Sequence, residues 1–258
     1  MVSPKKILSS HLQGLPPKVI DHISPSQLGK CARSHYYKIK HVEPLITPSE
    51  SALANFQVGF LWEKLIKQAL ESQKIPFSYQ DEFYDPELNM KGSSDFIITE
   101  DDGSKTMWDS KTMASKWFWY RESKKKRNQY DWWEENHSYI IQQGAYLLMA
   151  KRMGINVTKS VLVFISKDDG FIGEQLDVLL APKLEAELMK RIKVINDALR
   201  LDEPPPCTCE GWMVGYCDYG NPSTMEKNKT KKLVATQCCP ASIEEIEEWR
   251  HEHAENNA

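Results

Sequence analysis

Asp95, Asp109 and Lys111 lie in a short segment with the sequence pattern of a β-hairpin. The segment runs from Lys91 to Lys111 and contains the turn sequence Glu100-Asp-Asp-Gly103. A glycine-containing turn between two strand-like runs predicts a pair of antiparallel strands. Because side chains alternate between the faces of a strand, Asp109 and Lys111 share a face. Strand pairing brings Asp95 to that face as well, so the segment predicts two carboxylates and an amine in one cluster.

The predicted cluster suits the chemistry of a divalent metal ion. Carboxylate oxygens bind Mg²⁺ or Mn²⁺, and such an ion activates water and stabilises a leaving oxygen in phosphodiester cleavage. In this interpretation Asp95 and Asp109 bind the metal, and the carbonyl of Ser110 is a further ligand. Lys111 holds or helps to deprotonate the water. A second triplet of the same kind, Glu122-Ser-Lys124, lies in a charged run and is typical of a solvent-exposed face.

Two helices are predicted on either side of the hairpin. Apolar residues recur at helical spacing from Ser49 to Glu71, and Glu63 on this helix is a candidate third acidic ligand four residues after Gly59. The second helix is predicted from Ser138 to Met153. It places Gln142 and Tyr146 on one face, where they are candidates for contact with a substrate.

These motifs resemble a known nuclease group in their order along the chain. They are Gly59-Phe-Leu-Trp-Glu63, Gly92-Ser-Ser-Asp95, Trp108-Asp-Ser-Lys-Thr112 and Gln142-Gln-Gly-Ala-Tyr146, preceded by Ile23-Ser-Pro-Ser-Gln-Leu-Gly-Lys-Cys31-Ala-Arg-Ser-His-Tyr-Tyr37. The pattern resembles the RecB-like branch of the PD-(D/E)XK nuclease superfamily, which includes CRISPR-associated adaptation nucleases and many bacteriophage exonucleases. The resemblance covers roughly residues 22–220.

The resemblance implies an α/β fold with a restriction-endonuclease-like core, in which helices flank a mixed β-sheet. It also implies a Mg²⁺ or Mn²⁺ site and cleavage of DNA from an end. By this resemblance Asp95 and Asp109 are metal ligands, and Lys111 is the catalytic lysine. Gln142 and Tyr146 match the Gln-x-x-x-Tyr element of the branch. Two positions depart from the pattern: Ser94 replaces a proline, and Glu63 stands where the branch usually has a histidine.

A basic and aromatic segment predicts binding of single-stranded DNA. Between Lys116 and Trp133, four consecutive cations, Lys124, Lys125, Lys126 and Arg127, lie among tryptophan and tyrosine residues. Cations follow phosphates, and aromatic rings stack on unpaired bases. The alternative is a surface loop whose tryptophans pack on the core. The net charge of -3 disfavours a polybasic protein that coats nucleic acid.

The chain of 258 residues, 41% hydrophobic, predicts one well-buried domain with a small appendage. We expect residues 1–201 to form the nuclease core, including a second hairpin from Lys159–Ser166 and Gly170–Leu176 and a helix from Pro182 to Leu201. Residues 202–258 are expected to form a cysteine-rich tail with a short C-terminal helix. The sequence has no apolar run typical of a signal peptide or a membrane span, so a cytosolic protein is expected.

The cysteines suggest a second metal centre. Five of the six lie in the tail, and clustering in a cytosolic protein favours thiolate metal ligation over disulfides. Members of the resembled branch join one early cysteine to three late ones through a [4Fe-4S] cluster, which Cys31, Cys207, Cys209 and Cys217 would reproduce. The spacing C-x-C-x7-C differs from that of the branch. A zinc site that includes Cys238 or Cys239, or buried thiols without metal, are the alternatives.

The expected function is therefore metal-dependent exonuclease activity on single-stranded or frayed DNA ends, in recombination, repair or phage DNA processing. A recombination or annealing protein is a possible partner. The alternatives are a nucleic-acid-binding module that keeps the fold without turnover, and a structure-specific or RNA-directed endonuclease.

Overall fold

Helices and strands are mixed along the chain in the computed structural model, which describes residues 3–14, 19–209, 217–220, 239–240 and 242–248. The helices are α1 (Pro4–Gln13), α2 (Pro25–Leu28), α3 (Ala32–Ile39), α4 (Glu50–Ser72), α5 (Ser115–Lys126), α6 (Trp132–Arg152) and α7 (Pro182–Leu201). The strands are β1 (Phe77–Tyr79), β2 (Glu82–Asp85), β3 (Met90–Ser93), β4 (Phe96–Thr99), β5 (Lys105–Met113), β6 (Val157–Ser166) and β7 (Ile172–Val178). A further short helix covers residues 243–248. None of the helices in the described ranges has both the length and the apolar character needed to cross a lipid bilayer.

Five strands form one mixed sheet in the order β1-β4-β5-β6-β7. The central strand β5 is antiparallel to β4 and parallel to β6. A parallel neighbour requires a crossover connection, which α5 and α6 supply here. Strands β2 and β3 form a separate two-stranded sheet. The expected α/β class, a mixed sheet with flanking helices, is confirmed.

The main core lies between the sheet, α6 and α7. Helix α6 is buried continuously from Gln143 to Ala150, as expected for a helix covered on more than one side. Helix α7 buries one stripe, which includes Leu184, Leu188 and Ile192. A Cβ atom at Gly144 would lie 2.7 Å from Leu184 Cδ2, so the missing side chain allows the two helices to approach closely.

The hairpin of β4 and β5 is confirmed, with Gly103 at φ 80° in its turn. The part of the predicted hairpin segment before the turn, Lys91 to Thr99, is not one continuous strand, because the chain bends at Ser94 and Asp95. Backbone hydrogen bonds hold this bend: Ser94 N–H donates to the carbonyl of Asp81, and Gln80 N–H donates to that of Asp95. Residues on either side of the bend therefore join different sheets.

Helix boundaries agree in part with the expectations. Helix α7 matches its predicted range, and Ser49 caps α4 by accepting a hydrogen bond from Ala52 N–H at 3.2 Å. Helix α6 begins six residues before Ser138, because the Asp131 carboxylate caps the N–H groups of Trp133 and Glu134. The hairpin of β6 and β7 is confirmed, with slightly different ends.

The apolar stripe predicted on α4 faces solvent over much of its length. Phe56, Phe60, Leu61 and Leu65 are all exposed. The side that packs on the sheet carries Leu70, which joins Phe96 and Ile98 in a small core with Ile66 at its edge. Glu63 is spaced by three and seven residues from Ile66 and Leu70, so it lies on the packed side of the helix.

The described part of the tail packs on α3 rather than extending from the core. Cys209, Cys217 and Cys239 form a buried cluster with Tyr36 and Tyr37 of α3. Tyr37 donates a hydrogen bond to the Pro240 carbonyl at 2.9 Å. The predicted division at residues 201 and 202 stays a prediction.

Candidate active site

Asp95 and Asp109 face each other across the β4–β5 hairpin. Phe96 pairs with Trp108, so the next residues outward, Asp95 and Asp109, are opposite one another. Asp95 lies in the bend immediately before β4, whereas Asp109 is a buried residue of β5. The register therefore brings the two carboxylates together, as predicted from the turn and the strand periodicity.

Lys111 forms a close ion pair with Asp109. Its Nζ donates a hydrogen bond to Asp109 Oδ1 at 3.0 Å and lies 2.6 Å from Oδ2. The contact between Lys111 Nζ and Asp109 Oδ2 is electrostatic only, because this buried oxygen accepts no hydrogen bond of good geometry. The two side chains are 19% and 7% exposed. Burial acts to lower the pKa of Lys111, but Asp109 and Asp95 outweigh this effect and raise it, so the amine stays cationic.

The acidic residues of the site repel one another. Burial, followed by the adjacent Asp109, raises the pKa of Asp95 to about 9. Burial and the charge of Asp109 also raise the pKa of Glu63. Two carboxylates in such proximity cannot both ionise easily without a cation. The excess of buried acidic oxygens, including the poorly bonded Oδ2 of Asp109, fits a divalent metal ion.

Glu63 approaches the site from α4. Its Oε2 accepts a hydrogen bond from Tyr79 Oη at 3.4 Å, and it interacts electrostatically with Asp109 and Lys111. The predicted proximity of Glu63 to the acidic pair therefore agrees with the structure. Gly59 does not bring about this proximity by allowing a close approach, because a Cβ atom at Gly59 would meet nothing within 4 Å. Glu63 points inward because it lies on the same side of α4 as Ile66 and Leu70, which pack against the sheet.

Tyr146 forms part of the wall of the site. A Cβ atom at Gly92 would lie 3.0 Å from the Tyr146 hydroxyl, so the glycine leaves room for this group. Burial and the charges of Asp109 and Asp95 raise the pKa of Tyr146. Gln142 lies half-buried one turn earlier on α6. The roles of Gln142 in substrate binding and of the Ser110 carbonyl as a ligand stay predictions.

Sequence reasoning missed two aromatic residues of the site. The Tyr139 ring lies 5.8 Å from Lys111 Nζ, and Tyr79 binds Glu63. Tyr139 is seven residues before Tyr146, a spacing that returns to one face of a helix and could have indicated it. Tyr79 lies in a three-residue strand with no comparable signal.

The basic and aromatic segment forms α5 and the start of α6. Helix α5 begins two residues after β5 ends, so it follows directly from the strand that carries Lys111. Trp117, Trp119, Tyr120 and Trp132 are exposed. Lys124 pairs with Glu135, and Lys125 pairs with Glu122 and lies over the rings of Tyr130 and Trp132. Lys126 and Arg127 are exposed at the end of the helix.

The cysteines form a second cluster of potential ligands. The Sγ atoms of Cys31, Cys207 and Cys209 all lie within 4.8 Å of one another. Cys217 is buried in the same apolar cluster, as is Cys239. Cys238 lies outside the described residues. The structure therefore brings the predicted early cysteine together with two of the three predicted late ones.

Comparisons with known proteins give structural likeness alone. No protein family and no curated protein matches the chain in sequence. Among solved structures, that of SSO0001 has a TM-score of 0.49 and 18% identity, covering 83% of this chain and 90% of that one. An alkaline exonuclease from Laribacter hongkongensis in complex with dAMP has a TM-score of 0.45 and 12% identity, covering 77% and 93%.

A phage-related exonuclease from Haemophilus somnus 129PT also has a TM-score of 0.45 and 12% identity, covering 70% of this chain and 96% of its own. At such identities and TM-scores, these likenesses do not assign an activity to the chain.

Proposed function

We propose that the protein is a metal-dependent nuclease that hydrolyses DNA phosphodiester bonds, acting as an exonuclease on single-stranded or frayed ends. The observation that carries this proposal is the convergence of Asp95, Asp109 and Lys111 at one end of the β4–β5 hairpin, with Glu63 beside them.

The residues that would hold the ion are the carboxylates of Glu63, Asp95 and Asp109, with the Ser110 carbonyl as a further oxygen. Mg²⁺ and Mn²⁺ favour oxygen ligands of this kind. When bound, such an ion polarises the phosphate and lowers the pKa of a coordinated water. Its charge would also oppose the two effects that raise the pKa of Asp95, which are burial first and then repulsion by Asp109.

Lys111 is the cationic group of the site. Its amine is held by Asp109, and burial of both side chains strengthens their attraction. A cation at this position stabilises negative charge as it develops on a phosphate and orients an attacking water through its N–H groups. Tyr139 and Tyr146 border the same space.

Helix α5 supports the choice of substrate. Its exposed rings, including Trp117 and Trp119, begin a few residues beyond Lys111 in the chain. Stacking on such rings requires bases that are not held in a duplex. Single-stranded DNA at an end therefore suits this surface better than an intact duplex.

The test is cleavage of DNA labelled at its 5′ or 3′ end, as linear and circular single strands, with Mg²⁺ or Mn²⁺. We expect linear strands to be degraded and circles to persist. Lys111→Ala should reduce the rate by at least about 100-fold while DNA binding remains. Lys105→Ala is the matched control, since it removes the same charge at the other end of β5.

Full activity in Lys111→Ala would contradict the role of the lysine. Cleavage of circles would identify an endonuclease, and binding without cleavage by the unmodified protein would identify a binding module. Added chelator should abolish cleavage, and activity that persists would exclude the metal.

A further inference from the structure

One arginine attaches two separate parts of the tail to α3. Arg33 Nε donates to the Pro205 carbonyl at 2.8 Å, just before Cys207. Its Nη1 donates to the carbonyls of Cys239 at 3.2 Å and Pro240 at 3.0 Å. Because Arg33 is two residues from Cys31, these bonds bring the segments of Cys207 and Cys239 to the same end of α3.

The sulfur atoms at this position are close enough for shared ligation of one ion. Cys31 Sγ and Cys207 Sγ are 3.8 Å apart, and Cys209 Sγ lies within 4.8 Å of both. The thiols of Cys209 and Cys239 also interact with that of Cys31. Cys31, Cys209 and Cys239 are buried, so the thiols are shielded from water.

Backbone N–H groups are directed towards the Cys31 side of the cluster. Thr208 N–H donates to Cys31 Sγ at 3.4 Å, and Ala32 N–H donates to the Thr208 hydroxyl at 3.3 Å. A backbone N–H group directed at sulfur stabilises negative charge there, as does the position of Cys31 as the N-cap of α3. Thiolates are the form of cysteine that binds metals.

We propose that Cys31, Cys207, Cys209 and Cys239 bind a single Zn²⁺ ion, with Cys217 outside the ligand set. Cys239 therefore takes the place of Cys217, which the sequence had suggested as the third late ligand. Cys217 lies in the segment whose Asp218 carbonyl binds the N–H groups of Leu45 and Ile46, beyond the other end of α3. The Arg33 bonds bring Cys239 to the Cys31 end instead.

The sulfur separation favours zinc over a four-iron cluster. In a tetrahedral site with Zn–S bonds of 2.3 Å, two sulfurs are about 3.8 Å apart. The Cys31 and Cys207 sulfurs have that separation. Each thiolate of a [4Fe-4S] cluster ligates a different iron, so the cysteine sulfurs are farther apart than they are around a single ion. The described thiols are too close together for this arrangement.

Such a site would tie the tail to the start of the core. It would join residue 31 to residues 207, 209 and 239, so the ion would connect the N-terminal helices with the last described segments. The binding energy of a structural zinc adds to the stability of the fold it closes. None of these four thiols belongs to the acidic site, so loss of zinc should affect stability more than cleavage chemistry.

The test is metal analysis of the full-length protein, produced in medium that contains zinc and iron and purified without oxygen. We expect about one zinc per chain, no stoichiometric iron or sulfide, and no visible absorbance. Replacement of zinc by Co²⁺ in the unmodified protein should give the intense visible bands of tetrahedral cobalt thiolate. This measurement needs no variant, so it decides the matter even if variants fail to fold.

Serine variants then identify the ligands. Cys239→Ser and Cys207→Ser should lose most of the zinc and unfold at a lower temperature. Cys217→Ser, which makes the same atomic change at a buried cysteine, should retain its zinc, and Cys238→Ser should retain its zinc as well. Stoichiometric iron and sulfide, a Cys31–Cys207 disulfide, metal-free protein, or zinc lost from Cys217→Ser but kept in Cys239→Ser would each overturn the proposal.

Discussion

The Asp109 and Lys111 side chains meet because they lie two residues apart on a strand. The triplet Glu122-Ser-Lys124 has the same spacing but lies on α5, where residues two apart point in different directions. Lys124 there pairs with Glu135 of α6, and Glu122 pairs with Lys125. The same residue types thus give a buried ion pair in one context and surface contacts in the other.

His35 allows a test of how a buried residue ties stability to pH. The residue is 1% exposed, and its Nε2 accepts a hydrogen bond from Ser24 N–H at 3.0 Å. Burial, with the charges of Lys38 and Lys30, lowers the pKa of His35 to about 3. The unfolded chain therefore binds a proton near pH 6.5 that the folded protein does not bind. Stability is full above that pH and falls as the pH drops towards 3.

From pH 7.5 to 4.5 the loss attributable to His35 should be about 3 kcal/mol. The free energy of unfolding in urea, measured at several pH values, gives this slope. His35→Gln should be less stable at neutral pH but should have a shallower slope. His11→Gln, at an exposed histidine, should leave the slope unchanged. A parallel slope in His35→Gln would show that another group is responsible.

At the scale of elements, periodicity and caps predicted what local sequence determines. Helix α7 starts at a proline and repeats its apolar residues regularly, so its range could be read directly. The bend at Ser94 and Asp95 could not, because it depends on hydrogen bonds to Gln80 and Asp81 in another segment. Asp131 is a typical N-cap residue, but the charged and aromatic residues around it lack the apolar periodicity that would have predicted a helix start at Trp132.

Two helical glycines should respond to alanine in opposite directions. At Gly59 of α4 an added Cβ meets nothing within 4 Å, whereas at Gly144 of α6 it would lie 2.7 Å from Leu184 Cδ2. Alanine has a better helix propensity, so Gly59→Ala should stabilise by about 0.5–1 kcal/mol. Gly144→Ala should destabilise by about 1–3 kcal/mol, because α7 must shift or Leu184 must leave its rotamer.

Urea unfolding of both variants checks this pair of effects, each serving as the control for the other. If Gly144→Ala were as stable as Gly59→Ala, the contact between α6 and α7 would be looser than the structure shows. A destabilised Gly59→Ala would contradict the open space around this position of α4.

At the scale of the whole molecule, the site combines three distant parts of the chain. Glu63 comes from α4, Asp95 and Asp109 come from the hairpin, and Tyr146 comes from α6. The order of the motifs along the chain predicted which residues belong to the site, and the strand register predicted that Asp95 and Asp109 lie opposite each other. The position of Glu63 depends on how α4 packs against the sheet, which no local pattern specifies. The proposal of Cys239 rather than Cys217 as a zinc ligand rests likewise on the Arg33 bonds across the fold.

The overall charge distribution also bears on how a substrate reaches the site. The net charge of -3 opposes attraction to DNA, so local features must provide it. Lys124 and Lys125 are partly neutralised by acidic partners. The exposed rings of α5 are therefore expected to contribute more to binding than those two lysines do.

Trp119 is the ring to test, since it is 75% exposed and lies on α5, the helix that follows the strand carrying Lys111. Stacking of one base on an aromatic ring contributes about 1–3 kcal/mol, so Trp119→Ala should weaken binding of a single-stranded oligonucleotide roughly 10-fold. Fluorescence anisotropy with chelator present measures the dissociation constant without cleavage. Tyr84→Ala, at an exposed ring of the separate β2–β3 sheet, should bind as the unmodified protein does. If both variants bound equally, either weakened or unchanged, α5 would not be the surface that receives the strand.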